Sequence, residues 1–138
     1  MAVTRLYEAV QSRSEIGTNS AVIANGDVVA ISGWFIIKAI NTTVRPLLGV
    51  ANGSITFSAT NQTVEKLKVS YTRFEPYDTL FESVTSASIV QADVGKYYAL
   101  TAAGIVDVAT ASATIAAGSV VRLERFLSSL KGVFVAVA

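Results

Sequence analysis

The chain has 138 residues, of which 51% are hydrophobic and only 15% are charged, and its formal net charge is +1. This length fits one domain, and the charge balance gives no support for long-range attraction to nucleic acid or to an anionic membrane. The sequence has no cysteine and no histidine, which excludes disulfides, thiolate or imidazole metal ligands and the commonest catalytic bases. We therefore expect neither an enzyme, nor a cofactor, nor a metal site.

Residues 1–20 are expected to be either an N-terminal arm or the first element of the fold, ahead of a single β domain over residues 21–138. The segment has weak periodicity and ends in a loop-forming cluster, Gly17–Ser20. A short helix, a first strand and an extended arm that orders on a partner all stay open. Its apolar residues are candidate partner contacts: Leu6, Tyr7, Val10 and Ile16.

The start of the chain has no basic-then-apolar signal pattern, and no apolar run approaches the roughly 20 residues of a membrane helix. We therefore expect synthesis in the cytoplasm and no membrane partner. The low charged fraction is typical of a protein that covers part of its surface with other subunits.

Turn signals divide the next stretch into short strands. Asn25-Gly26 and Asn52-Gly53 each lie between apolar runs, which predicts two β-hairpins because both residue types tolerate positive φ. The run 34–40 is almost continuously apolar and predicts a buried strand; Trp34 is either a core residue or an interface anchor. Because Pro46 lacks an N–H, the segment 44–50 is an edge strand or begins after the proline.

The clearest alternation in the sequence covers residues 66–74. Leu67, Val69 and Tyr71 are predicted to share one buried face of a strand, while Lys66, Lys68, Ser70 and Thr72 face the other way. The stretch 79–88 stays ambiguous, since its apolar spacing is helical but its Ser and Thr content favours a strand or loop.

The last third alternates short apolar segments with compact turns. It predicts strands at 97–100, 105–108, 120–127 and 133–137, with a break over 128–132. The alternation slips at Arg125, and a β-bulge would return Phe126 to the core side, leaving Arg122 and Glu124 on the outer face. The predicted fold is all-β: a single-domain antiparallel β-sandwich or β-barrel with an N-terminal arm.

Three acidic residues lie close in sequence, at Glu75, Asp78 and Glu82. Solvated turn charges are the favoured interpretation, because the spacing of a calcium-binding loop is missing; a calcium site is the weaker alternative.

Several segments resemble tailed-bacteriophage capsid decoration (cement) proteins and related small virion proteins: Leu48–Gly53, Asp93–Tyr98, and Arg122–Phe126 followed by Gly132–Phe134. The resemblance covers roughly residues 20–138 and is one of pattern. It implies a β-rich protein on the outside of the virion capsid that bridges major capsid protein subunits and often forms trimers. No binding residue is carried over individually.

The resemblance therefore implies a homo-oligomer, with a trimer favoured, whose partner is the major capsid protein and which does not bind nucleic acid directly. The alternative is a tail-associated or adhesin-like module that binds glycans. Such a module needs exposed aromatic rings beside acids and amides, and Tyr77 next to Asp78 is the local hint of one.

Overall fold

The computed structural model describes residues 6–8, 22–32, 35–56 and 70–138. Over these residues the chain is built from strands and one turn of 3-10 helix at Gln91–Asp93, which confirms the all-β prediction. Two five-stranded sheets contain most of these strands, and the paired strands within each sheet are antiparallel. None of the described residues belongs to a helix long and apolar enough to cross a membrane.

Twelve strands follow one another within the described residues. They are β1 (Leu6–Glu8), β2 (Val22–Ile23), β3 (Val28–Ser32), β4 (Phe35–Lys38), β5 (Gly49–Ala51), β6 (Ile55–Thr56), β7 (Ser70–Arg73), β8 (Leu80–Val84), β9 (Tyr97–Leu100), β10 (Val106–Ser112), β11 (Val121–Ser128) and β12 (Lys131–Ala136). Two compact units contain them: one includes residues 39–47 and 74–138, and the other includes β1 to β7.

The N-terminal sheet has the strand order β1-β7-β5-β3-β4. β1 is an edge strand, paired antiparallel with β7 so that Tyr7 lies opposite Tyr71. β5 follows the proline and lies between β3 and β7, so the segment begins after Pro46 and is not an edge strand. Gly49 is required there, because a Cβ at this position would lie 2.1 Å from the carbonyl oxygen of Thr72 on β7.

The two Asn-Gly turns do not close hairpins, so that prediction was wrong. β2 pairs with β6, whereas β3 pairs with β4 and β5. The turns lie side by side instead: Gly26 N–H donates to Ala51 O at 2.9 Å, and Asn25 N–H donates to Ser54 Oγ at 3.0 Å. We call β2, β3, β5, β6 and their two turns the Asn–Gly corner.

The C-terminal sheet has the order β10-β9-β11-β12-β8. β11 and β12 form a hairpin through the two residues Ser129 and Leu130, so β12 begins earlier than the predicted 133. Thr85, directly after β8, forms a parallel bridge with Val106 of β10, and Ser86 N–H donates to Val106 O at 2.9 Å. The two edge strands of this sheet are therefore joined at one end.

One face of the C-terminal sheet is tightly packed. Phe134 is fully buried and lies edge-on to Tyr98, with ring centroids 6.1 Å apart, and it also contacts Phe81 at 6.2 Å. Gly132 leaves room for this packing, since a Cβ there would lie 2.6 Å from Leu123 Cδ1. Residues contributing to this face from four strands are buried: Tyr98, Leu100, Val106, Val121, Leu123 and Phe134.

The predicted bulge is present. The register of β11 against β12 shifts between Leu123 and Arg125, so that Leu123 lies opposite Phe134 and Phe126 lies opposite Gly132. Phe126 thereby returns to the side of Leu123 in a half-buried position. Of the three residues predicted to share a buried face, Tyr71 is buried, and Leu67 and Val69 lie outside the described residues.

Candidate functional site

Two surface regions of the unit that includes residues 74–138 are candidate binding surfaces. The first is at the end of the C-terminal sheet where β11 turns into β12. Four aliphatic residues are exposed there, and we call them the apolar tip: Val84 (48% exposed), Val90 (56%), Leu127 (40%) and Leu130 (52%).

Backbone hydrogen bonds bring the segments of the apolar tip together. Thr85 N–H donates to Leu130 O at 3.0 Å, and Ile89 N–H donates to Ser129 O at 2.7 Å. Val84 lies opposite Lys131 in the pairing of β8 with β12. The segment 84–90 is thus fixed against the β11–β12 turn, and the tip is a formed surface and not a loose loop.

Charge beside the apolar tip is balanced. Lys131 Nζ lies 3.7 Å from Glu82 Oε1, and both side chains are largely exposed, at 49% and 63%. An ion pair this exposed contributes little to stability. It does leave the tip with an apolar surface bordered by one positive and one negative group.

The second region is centred on Tyr77, in the turn before β8. Asp78 and Thr79 N–H both donate to Glu75 O at 3.0 Å, and Tyr77 N–H donates to Ala136 O at the end of β12 at 2.9 Å. Tyr77 has a φ of +64°, a left-handed conformation that a bulky side chain rarely adopts. Its side chain is nevertheless kept at the surface, 45% exposed.

Arg122 joins Tyr77 to two further side chains. Its Nε donates to Glu124 Oε2 at 2.5 Å, and its guanidinium carbon lies 5.2 Å from the ring centroid of Tyr77 and 6.0 Å from that of Tyr97. These distances are in the range of cation–π contact. The pKa of Arg122 is raised above its usual value, first by the hydrogen bond to Glu124 and then by the neighbouring Tyr97 side chain. We call Tyr77, Tyr97, Arg122 and Glu124 the Tyr77 cluster.

The pairing of strands explains why this cluster forms. Arg122 lies opposite Tyr97 on β9 and opposite Val135 on β12, so the side chains of Arg122 and Tyr97 share one face of the sheet. Glu124 is the extra residue at the bulge, which lets it remain on the side of Arg122. The sequence predicted Arg122 and Glu124 on an outer face as a pair, and their ion pair agrees with that prediction.

The predicted contact residues are not all visible in the described part of the chain. Leu6 and Tyr7 are in β1, where they pair with Thr72 and Tyr71 of β7. Val10, Ile16 and Trp34 lie outside the described residues. β1 therefore belongs to a sheet, and the arm stays a prediction for the rest of residues 1–20.

The acidic residues near Tyr77 do not form a cluster. Among the described residues, no three acidic side chains come close enough together to hold a metal ion. Glu75 and Asp78 lie in or next to the turn before β8, and Glu82 lies in β8.

Sequence reasoning missed both surfaces. Val84 and Val90 fell in or beside the stretch left ambiguous, and Leu130 fell in a predicted break. Tyr77 was noted only next to Asp78, its neighbour in sequence. The signal for part of the cluster was the alternation along β11, because it places Glu124 on the side of Arg122, but the link to Tyr77 spans 45 positions of the sequence.

Comparison with known proteins gives this chain no family. No family model matches it, and no curated protein is similar to it at a significant level. Its function is therefore inferred from its own surfaces.

Proposed function

We propose that this chain is a structural virion protein that binds the outer surface of a phage capsid and stabilises it by bridging major capsid protein subunits. The sequence resemblance suggests this role, and the observation that carries it is the apolar tip. The tip is a formed, exposed surface with no requirement for a catalytic group, and binding is what such a surface can do.

Apolar burial is the expected source of affinity. Fully burying a Val or Leu side chain contributes roughly 1.5–3 kcal/mol, so the half-exposed residues of the apolar tip supply several kcal/mol when covered. An anchor of this kind is insensitive to salt, because screening acts on charges and leaves apolar contacts intact or stronger.

The same proposal includes self-association. The chain is a homo-oligomer, with a trimer favoured, and it occupies the capsid exterior after synthesis in the host cytoplasm. Its partners are copies of itself and the major capsid protein, with no direct contact to nucleic acid or to a membrane. A symmetric lattice offers identical binding surfaces to every copy, which suits a protein with one formed apolar contact. Sedimentation of the isolated protein and image analysis of decorated particles measure the copy number.

The capsid proposal is tested by adding purified protein to undecorated capsids and measuring occupancy. Leu130→Lys together with Val90→Lys places charges in the apolar tip, and we expect occupancy to fall at least about tenfold, the effect of ~1.4 kcal/mol. The native chain should keep its occupancy at about 1 M NaCl, where the screening length is about 3 Å.

Val44→Lys is the matched control. Val44 is 73% exposed and lies next to Arg45, whose Nη1 donates to Ala116 O at 2.8 Å in the loop before β11. The eight residues of β11 span about 25 Å, so this site is at the far end of the strand from the tip. Equal loss with the control variant, or full occupancy with the tip variant, would reject the tip as the contact.

The N-terminal contacts need a separate test. Because β1 is an edge strand of the N-terminal sheet, deletion of residues 2–18 would remove a structural element as well as an arm. Val10→Lys and Ile16→Lys leave β1 intact. If an arm binds the capsid, these variants lose occupancy while keeping the native melting temperature; unchanged occupancy removes Val10 and Ile16 from the contact.

Glycan binding by a tail-associated or adhesin-like module is the second candidate. The Tyr77 cluster favours it, since it combines an exposed aromatic ring with hydrogen-bond donors and acceptors. Particles lacking this protein distinguish the two: loss of capsid stability supports the first candidate, and loss of attachment to cells with intact capsids supports the second.

A further inference from the structure

We propose that the Tyr77 cluster is a binding site for a neutral saccharide. This inference rests on the second candidate function and names its ligand class; it concerns a different surface from the apolar tip and does not depend on a capsid role. It rests on the backbone geometry of Tyr77, on the pairing of Arg122 with Glu124, on the exposure of Tyr77 and on the partial exposure of Arg122 and Glu124.

The backbone conformation of Tyr77 is the first observation that indicates a binding site. At φ +64°, glycine or asparagine would be accommodated at lower cost than tyrosine. Strained residues persist where the surrounding structure fixes them, and they concentrate at functional sites. Here the turn bonds at Glu75 and the bond from Tyr77 N–H to Ala136 O fix the conformation. Because the side chain of Tyr77 remains 45% exposed, stability of the fold does not explain why a tyrosine occupies this position.

The ring is held in place as well as the backbone. The guanidinium of Arg122 lies over the ring of Tyr77, and it is itself fixed by Glu124 and Tyr97. Little conformational entropy is lost when a ligand covers a ring that is already immobilised. Tyr77 as a whole remains 45% exposed, so part of its side chain is left for contact with a ligand.

The charges of Arg122 and Glu124 indicate which class of ligand the cluster can bind. Arg122 and Glu124 neutralise each other, so a charged ligand gains little net attraction and would have to compete with their hydrogen bond. A saccharide has an apolar C–H face that can stack on the ring, and hydroxyl groups that both donate and accept. Arg122 supplies donors and Glu124 an acceptor, with side chains 27% and 31% exposed. The cluster therefore complements a neutral sugar better than an ion.

The experiment titrates the intact protein with neutral oligosaccharides: maltohexaose, cellohexaose, mannohexaose and chitohexaose. Concentrations up to about 10 mM suit a shallow site of this kind, where little ligand surface is buried. Amide chemical shifts are recorded by NMR. We expect at least one sugar to shift the amides of Tyr77, Tyr97 and Arg122 in a saturable way, and no response from any of the four overturns the proposal.

Tyr77→Gly is the decisive variant, because glycine adopts the observed φ without strain. We expect this variant to keep a melting temperature within about 4 °C of the parent, the shift that corresponds to ~1 kcal/mol in a domain of this size, and to lose saccharide binding at least tenfold. Retained binding would overturn the proposal. A large loss of melting temperature would show that the ring serves the fold, and would also overturn it.

Two comparisons separate this site from the capsid contact. Leu130→Lys changes the apolar tip and should bind saccharide like the parent, while Tyr77→Gly should decorate capsids like the parent.

A proline-rich peptide is titrated alongside, since such peptides also stack on exposed aromatic rings. Saturable shifts of the cluster with the peptide and with no sugar would assign the site to a protein partner and reject a saccharide ligand.

Discussion

The C-terminal sheet and the Asn–Gly corner both contain consecutive strands joined by tight turns, but these strands pair differently in the two regions. β11 and β12 follow each other in the chain and pair with each other through a two-residue turn. β2 and β3 are also consecutive and flank the four-residue turn 24–27, yet β2 pairs with β6 and β3 pairs with β4 and β5. A turn signal thus specifies where the chain reverses or bends, and not which strands pair.

The backbone of the first turn gives the physical reason. A type I′ hairpin turn needs positive φ at both central residues. In the turn Ala24–Asp27 only Gly26 has positive φ, at +89°, and Asp27 N–H donates to Ala24 O at 3.0 Å. That pattern fits a type II turn, whose twist splays the flanking strands. β2 and β3 are therefore directed to different partners.

The largest expected effect comes from the packed face of the C-terminal sheet. Phe134→Ala removes a fully buried ring that contacts Tyr98 and Phe81, and it should destabilise the protein by about 3–5 kcal/mol in urea unfolding. Val84→Ala, on the same sheet but exposed, should change stability by less than about 0.5 kcal/mol. A loss below about 1 kcal/mol for Phe134→Ala would mean that this face is not the main core.

A smaller effect is expected in the Asn–Gly corner. Gly26→Ala should cost about 1–2 kcal/mol, the penalty of a left-handed conformation for a residue with a Cβ, and Gly26→Asn should cost less. No atom lies within 4 Å of an added Cβ, so the cost is one of backbone conformation.

Gly118→Ala is the control for this change, because Gly118 has no positive φ and its nearest neighbour would be 3.9 Å from the new Cβ. Thermal unfolding compares the three variants. Equal stability of Gly26→Ala and Gly118→Ala would show that the corner does not depend on its turn conformation.

The smallest expected change is a gain in folding stability. The Tyr98 hydroxyl is buried without a hydrogen-bond partner among the described residues, and burial, followed by the charge of Asp93, raises its pKa. An unpaired buried hydroxyl is costly, so Tyr98→Phe should be neutral or stabilising by up to about 1 kcal/mol. Tyr97→Leu, which removes the ring that lies 6.0 Å from the guanidinium carbon of Arg122, should instead destabilise by about 0.5–1 kcal/mol. Chemical denaturation that ranks the two variants in the opposite order would contradict this assignment.

Periodicity and turn chemistry predicted what local sequence controls. They gave the all-β class, the strand Tyr97–Leu100 at its observed bounds, and the bulge that returns Phe126 to the side of Leu123. They did not give the pairing of β2 with β6, which depends on contacts between residues more than 30 positions apart. Hairpins were inferred from Asn-Gly alone, and the φ of Asn25 cannot be read from its residue type.

The candidate site was less predictable than the fold. The pairing of Arg122 with Glu124 followed from alternation along one strand, and it is observed. Tyr77 reaches Arg122 only because the turn before β8 is hydrogen-bonded to the end of β12, a contact with no local sequence signal. The apolar tip likewise depends on the segment 84–90 returning to the β11–β12 turn.

The bridge between Thr85 and Val106 has a consequence for proteins present in many copies. Unpaired sheet edges let identical chains join strand to strand and grow into fibres. Here the backbone of Val106 is occupied by Thr85 and Ser86, and Val108 N–H donates to Ser86 Oγ at 2.9 Å. The exposed end of β10 is thus partly blocked against a second copy. A protein crowded at high local concentration can in this way remain a set of separate folded subunits.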